Sequence, residues 1–151
     1  MKMSTTYNPK EFEERLYKEW EESGYFKATP NPDKVPFTIV IPPPNITGQL
    51  HMGHALDESI QDSIVRFKRM QGYETLWLPG TDHAAISTEM KVVQSLREQG
   101  IKKSDLTREQ FLEKAWDWTR LYGGTIQKQQ RKLGCSCDWE RNRFTLDEGM
   151  S

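Results

Sequence analysis

The chain has 151 residues, about one domain's length, and its 21 Lys plus Arg nearly balance its 22 Asp plus Glu, for a formal net charge of −1. That balance excludes the strongly basic profile of a free-standing nucleic-acid binder. No run of about 18 apolar residues offers a membrane-spanning helix, and two cysteines, Cys135 and Cys137, cannot build a disulfide scaffold. The opening residues Met1-Lys2-Met3-Ser4-Thr5-Thr6 hold no apolar signal region, so a cytoplasmic protein is expected.

The first element reads as a helix. Asn8 is suited to cap it, Pro9 fits its first position, and Glu11 and Glu13 favour its positive end. Phe12, Leu16, Tyr17 and Trp20 share one face, as in a helix docked on a domain core, and Gly24 is a fitting stop. Residues 29–36 are polar and rich in proline, so they form a loop. Phe37-Thr38-Ile39-Val40-Ile41 is short, β-branched and nearly all apolar, which predicts a strand buried on both faces of a parallel sheet. Pro42-Pro43-Pro44 ends it, because proline supplies no sheet donor.

A second helix runs from the His51–His54 region to about Met70, with Ala55, Leu56, Ile60, Ile64, Phe67 and Met70 as its apolar stripe. Thr75-Leu76-Trp77-Leu78 is a second buried strand, so strand, loop, helix and strand make a βαβ unit. A third helix covers roughly 84–99. The fourth opens with a capping box, Thr107-x-x-Gln110, and carries Phe111, Ala115, Trp118, Leu121, Tyr122, Ile126 and Leu133 before Gly134. Gly123-Gly124 is a place for a kink or break. Thr145-x-x-Glu148 has the form of another capping box, which predicts a helix start there.

Open parallel sheets bind ligands beyond the carboxyl ends of their strands. The first strand leads into Pro42-Pro43-Pro44-Asn45 and His51-x-Gly53-His54, and the second into Gly80-Thr81-Asp82-His83, so all three histidines fall on these two loops. His51 and His54 lie at a helix N-terminus, where two imidazole donors and backbone N–H groups suit a phosphoryl group gaining charge. Gly53 removes a side chain where a base must approach, and Gly48 lets the loop turn tightly. A metal-binding pair and unengaged surface histidines are the competing readings. The bland reading of Asp82 is the N-cap of the helix that starts at Ala84, which does not exclude a second role. Cys135-Ser136-Cys137 lacks zinc-ligand spacing, the tryptophans 77, 116, 118 and 139 suit packing, and Lys128, Arg131 and Lys132 suit either a helix end or a tRNA contact.

His51-Met52-Gly53-His54 after an apolar strand resembles the first signature of the class I aminoacyl-tRNA synthetases. The wider string from Pro42 to Leu56, with Trp77-Leu78-Pro79-Gly80-Thr81-Asp82-His83-Ala84 and the segment 138–148, is similar to the valine-specific branch. The leucine and isoleucine branches share the short signatures. The resemblance implies a Rossmann-like α/β half-domain with a parallel sheet and an amino-terminal docking helix. It implies ATP with Mg²⁺, valine and tRNA(Val) as partners of the parent enzyme. His51 and His54 would be catalytic, binding ATP with Thr47, Gly48 and Gly53. Pro42, Pro43 and Asn45 would line the valine site, with Asp82 on the α-ammonium. The expected organisation is a helix and linker over 1–35 and, over 36–151, the first half of the catalytic domain, ending before the editing insertion. The family has glycine where Ala85 stands, which would tighten the pocket floor, and Ser87 and Glu89 also depart from it. No segment matches the family's Lys-Met-Ser-Lys-Ser loop; Lys102-Lys103-Ser104 lies on a connection between helices. An adenylyltransferase acting on another substrate, and a non-catalytic half-domain packing against the missing remainder, are the readings that compete.

Overall fold

The fold is that of a computed structural model, which describes residues 5–149. Strands β1 (Pro36–Val40) and β2 (Glu74–Leu78) pair in parallel, Ile39 beside Trp77 and Val40 beside Leu78, with helix α2 (Met52–Met70) as their crossover. The expected βαβ unit is therefore present. After Pro79 the chain continues as β3 (Gly80–Thr81), which pairs in parallel with β4 (Arg143–Phe144). These two short strands carry no sequence pattern of their own. The remaining helices are α1 (Pro9–Glu22), α3 (Ala85–Glu98) and α4 (Arg108–Leu133).

The core gathers Ile41, Val65, Trp77, Cys135 and Cys137, with Ile39 and Trp139 packed against it. Phe37 and Ile39 face this side, whereas Pro36, Thr38 and Val40 are exposed. Burial of β1 on both faces is thus corrected: among the described residues only one of its faces is covered.

The larger correction concerns α2. Its apolar stripe points away from the core, with Leu56 65%, Ile60 54% and Met70 80% exposed. The buried face holds Glu58 and Val65 instead. Long-range polar contacts explain the choice. Asp62 accepts the backbone N–H of Ser136 at 3.1 Å, Arg69 donates to the Ser136 carbonyl at 2.8 Å, and Arg66 donates to the Gly134 carbonyl at 2.8 Å. These bonds clamp segment 134–136 along the polar side of the helix. Glu58, 1% exposed, accepts from Gln130 Nε2 of α4 at 2.8 Å and lies 3.6 Å from the Cys135 thiol.

Helix α1 docks as expected, with Phe12, Leu16, Tyr17 and Trp20 half-buried and none of its residues fully so. The Tyr17 hydroxyl donates to the Cys135 carbonyl at 2.7 Å and accepts from the Trp139 indole at 2.8 Å. Asn8 makes no side-chain cap; its amide donates to Glu11 instead. Helix α4 starts on the Thr107–Gln110 box and runs unbroken through Gly123 and Gly124 for 26 residues. It stops where Gly134 adopts φ 91°, a left-handed turn that suits glycine. No helix begins at Thr145: residues after β4 form turns, and Asp147 accepts the Phe144 N–H at 2.8 Å.

Candidate functional site

His51 is the N-cap of α2 and His54 sits in its first turn. The His51 Nδ1 accepts the Gly53 N–H at 3.1 Å, and the His54 Nδ1 accepts the His51 N–H at 3.2 Å. The rings lie 4.0 Å apart between centroids. An imidazole nitrogen that accepts from a backbone N–H carries no proton. Both rings are therefore held with the proton on Nε2, leaving two donors free at a helix N-terminus. Partial burial pushes the His54 pKa down, the neighbouring His51 adds to this, and Asp57 opposes it. His54 accordingly favours the neutral form that its bond to His51 requires.

Gly53 has a role that the sequence did not disclose. A Cβ on it would stand 2.9 Å from His51 Cε1, so the glycine makes room for the capping ring. Gly48 needs neither a positive φ nor clearance, and the expectation of a glycine-dependent tight turn fails there.

The second loop comes to the first through backbone pairing. Asn45 and Asp82 form a parallel bridge; the Asp82 N–H donates to the Pro44 carbonyl at 2.9 Å and the Ile46 N–H to the Asp82 carbonyl at 3.0 Å. Pro42, Pro43 and Asn45 are exposed along this edge, while Thr47 and Gly48 are half-buried. Helix α4 ties the loop down from the other side. The Trp118 indole donates to the Ile46 carbonyl at 2.8 Å, and Gln129 Oε1 accepts the Leu50 N–H at 2.9 Å. Both tethers went unseen in the sequence, since their partners lie 72 and 79 residues away.

Asp82 does not cap α3. That helix begins behind Ala84, whose φ of 43° is left-handed, with no side-chain cap. The Asp82 carboxylate instead accepts from Thr145 Oγ1 at 2.9 Å. Thr145 also meets the His83 N–H at 2.9 Å and the His83 Nδ1 at 2.7 Å. Ala85 is half-buried, and Glu89 pairs with Lys103.

A groove of about 840 Å³ opens between α1 and α4, lined by residues such as Trp20, Glu21, Arg66 and Arg131 but by none of the loop residues above. The histidine pair occupies an open rim, not that groove. Of the basic residues Lys128, Arg131 and Lys132, the last two pair with Glu21 and Glu14 of α1. The thiols of Cys135 and Cys137 are buried, which raises their pKa and keeps them protonated.

A parallel strand–helix–strand unit with histidines capping the crossover helix defines an α/β half-fold. The chain belongs to the class I tRNA synthetases (I, L, M and V), whose family model matches residues 15–151. It is 58% identical over 149 residues to the valine–tRNA ligase of Carboxydothermus hydrogenoformans, covering 99% of this chain and 17% of that protein. The valine–tRNA ligase of Clostridium perfringens matches at the same identity and coverage (58%, 99% and 17%). The chain thus spans about one sixth of the length of these curated relatives. The crystal structure of a LeuRS–tRNA–LeuAMS ternary complex from Agrobacterium radiobacter K84 shares the fold, with a TM-score of 0.77 at 19% identity, over 96% of this chain and 17% of that one.

Proposed function

We propose that this chain is the ATP- and valine-binding amino-terminal part of a valine–tRNA ligase. The parent reaction would join valine to ATP: a valine carboxylate oxygen attacks the α-phosphorus and pyrophosphate leaves, and a terminal hydroxyl of tRNA(Val) then attacks the valyl carbonyl, releasing AMP. The observation that carries this reading is the mutual cap of His51 and His54, which presents two Nε2–H donors at the N-terminus of α2. Charge growing on the α-phosphoryl oxygens is best met by fixed donors of this kind.

Thr47, Gly48 and Gly53 would complete the ATP side, with the base over Gly53. Pro42 and Pro43 would supply apolar surface for the branched side chain, Asn45 a polar edge, and Asp82 a carboxylate for the α-ammonium. Among the described residues no group of three His, Cys, Asp or Glu side chains is placed to hold a metal ion, so Mg²⁺ would arrive on the triphosphate. Residues 1–35 would be a docking helix with its linker and 36–151 the first half of the catalytic domain. The remainder of that domain would cover the exposed α2 stripe and close the open rim, and a role in translation would put the whole in the cytoplasm.

The test is isothermal titration with ATP on the folded chain, then pyrophosphate exchange with valine, isoleucine and threonine. Weak ATP binding abolished by alanine at both His51 and His54 is expected, with exchange greatest for valine. A folded chain that ignores ATP would sink the reading; exchange independent of amino acid would favour another adenylyl transfer.

A further inference from the structure

Thr145 joins two groups that the site brings together. It follows β4 in a turn, and its hydroxyl contacts both Asp82 and His83, 63 and 62 residues upstream. A hydroxyl has one proton and two lone pairs, and a carboxylate can only accept. The single proton therefore goes to Asp82 Oδ1 at 2.9 Å. One lone pair takes the His83 backbone N–H at 2.9 Å. The remaining contact, 2.7 Å from His83 Nδ1, is a hydrogen bond only if Nδ1 supplies the proton. Asp82 Oδ1, 3.4 Å from the same Nδ1, also favours a proton there, and in the neutral ring this leaves Nε2 bare.

We propose that Thr145 is a positioning residue that fixes the Asp82 carboxylate and locks His83 in its Nδ1–H form, so that Asp82 and His83 Nε2 together make an acceptor pair for the ammonium of the amino-acid substrate. This deepens the reading of Asp82 given above and rests on it. The His83 ring stands edge-on to Phe144 at 6.5 Å between centroids. The side chains of His83 and Asp82 are 37% and 32% exposed, half-open to a ligand. The three histidines are thereby divided by their neighbours: His51 and His54 point Nε2 donors outward for phosphate oxygens, and His83 an Nε2 acceptor for a cation.

Long-range proton–nitrogen correlation spectra of the imidazoles at mildly alkaline pH test this on the full chain, beside titrations with valine and with ATP. His83 is expected as the Nδ1–H form, and His51 and His54 as Nε2–H forms. Thr145→Val, of nearly equal shape, should release the His83 preference and weaken valine binding on the order of tenfold, with ATP binding little changed. Thr145→Ser should restore both. An Nε2–H form of His83 in the unaltered chain, or unaltered ring spectra and valine affinity in T145V, would overturn the proposal. Equal loss of ATP and valine binding in T145V would also overturn it, as a merely structural role. If His83 shows the Nδ1–H form but the unaltered chain takes up ATP and no valine, the ammonium assignment falls while the Thr145–His83 bond stands. If it takes up neither, the ligase reading itself falls.

Discussion

His51 and His54 cap the same helix by serving each other's end of it: the Nδ1 of His51 takes the N–H of Gly53, and the Nδ1 of His54 takes the N–H of His51. Nδ1 of each ring is thus taken by the backbone, and in the proposed function Nε2 is the side that meets a ligand. Two substitutions at His51 separate these uses. Asparagine is a strong N-cap, so H51N should keep the thermal midpoint close to that of the unaltered chain yet lose the outward donor and with it ATP affinity. H51A should lose both, with a stability cost of about 1 kcal/mol. Thermal melts beside nucleotide titrations check this; equal ATP affinity in H51N and the unaltered chain would refute a ligand role for the ring.

Gly53 predicts a reversal of sign. In the first turn of a helix, Gly→Ala ordinarily stabilises, by up to about 1 kcal/mol. Here the added Cβ would stand 2.9 Å from His51 Cε1 and 3.1 Å from its Nδ1, so the ring must shift and its cap is weakened. G53A alone should therefore be neutral or destabilising. Placed on H51A, where the obstructing ring is gone, the same change should stabilise. A double-mutant cycle by urea unfolding measures the coupling, and strict additivity would show that ring and glycine do not interact.

The sequence carried local order better than long-range choice. The Thr107–Gln110 box, the βαβ order and the placement of all three histidines on two adjacent loops were legible because each depends on neighbours in the chain. The buried face of α2 was not. Periodicity marks Leu56, Ile60, Ile64, Phe67 and Met70 as a face to be covered, but says nothing of what covers it. Among the described residues the partners of α2 include Ser136, Gly134, Gln130 and Trp77, and they select its polar side. Thr145 was misread for a related reason. A threonine three residues before a glutamate has the form of a helix cap, whereas its actual partners lie more than sixty residues upstream.

The uncovered stripe has a measurable consequence. Leu56, Ile60, Ile64 and Phe67 are each more than 40% exposed along one side of α2, and contiguous apolar surface of this kind drives association. The isolated chain should self-associate with rising concentration in sedimentation velocity. Ile60→Lys should reduce that association while changing stability by no more than about 0.5 kcal/mol, as for other exposed positions. A monomer at all concentrations, or an I60K chain that associates as before, would show that the stripe is not the contact.

Glu58 and Gln130 supply a pH-dependent prediction. Burial pushes the Glu58 pKa up; the hydrogen bonds from Gln130 and Cys135 offset this in part, and Asp57 adds to it. The folded state therefore holds this proton more tightly than the unfolded chain, whose ordinary value is 4.5. Stability from this group is full below that value and is lost as pH rises through the folded pKa, because the unfolded chain there binds fewer protons. Glu58→Gln keeps an acceptor for Gln130 and removes the titration. E58Q should thus be more stable than the unaltered chain at neutral pH, with the gap closing as pH falls toward 4.5. Gln130→Leu strands the carboxylate among apolar groups and should cost about 2 kcal/mol at neutral pH, less on acidification. Urea midpoints at a series of pH values decide it: a gap between E58Q and the unaltered chain that stays constant across this range would mean that Glu58 does not titrate in the core.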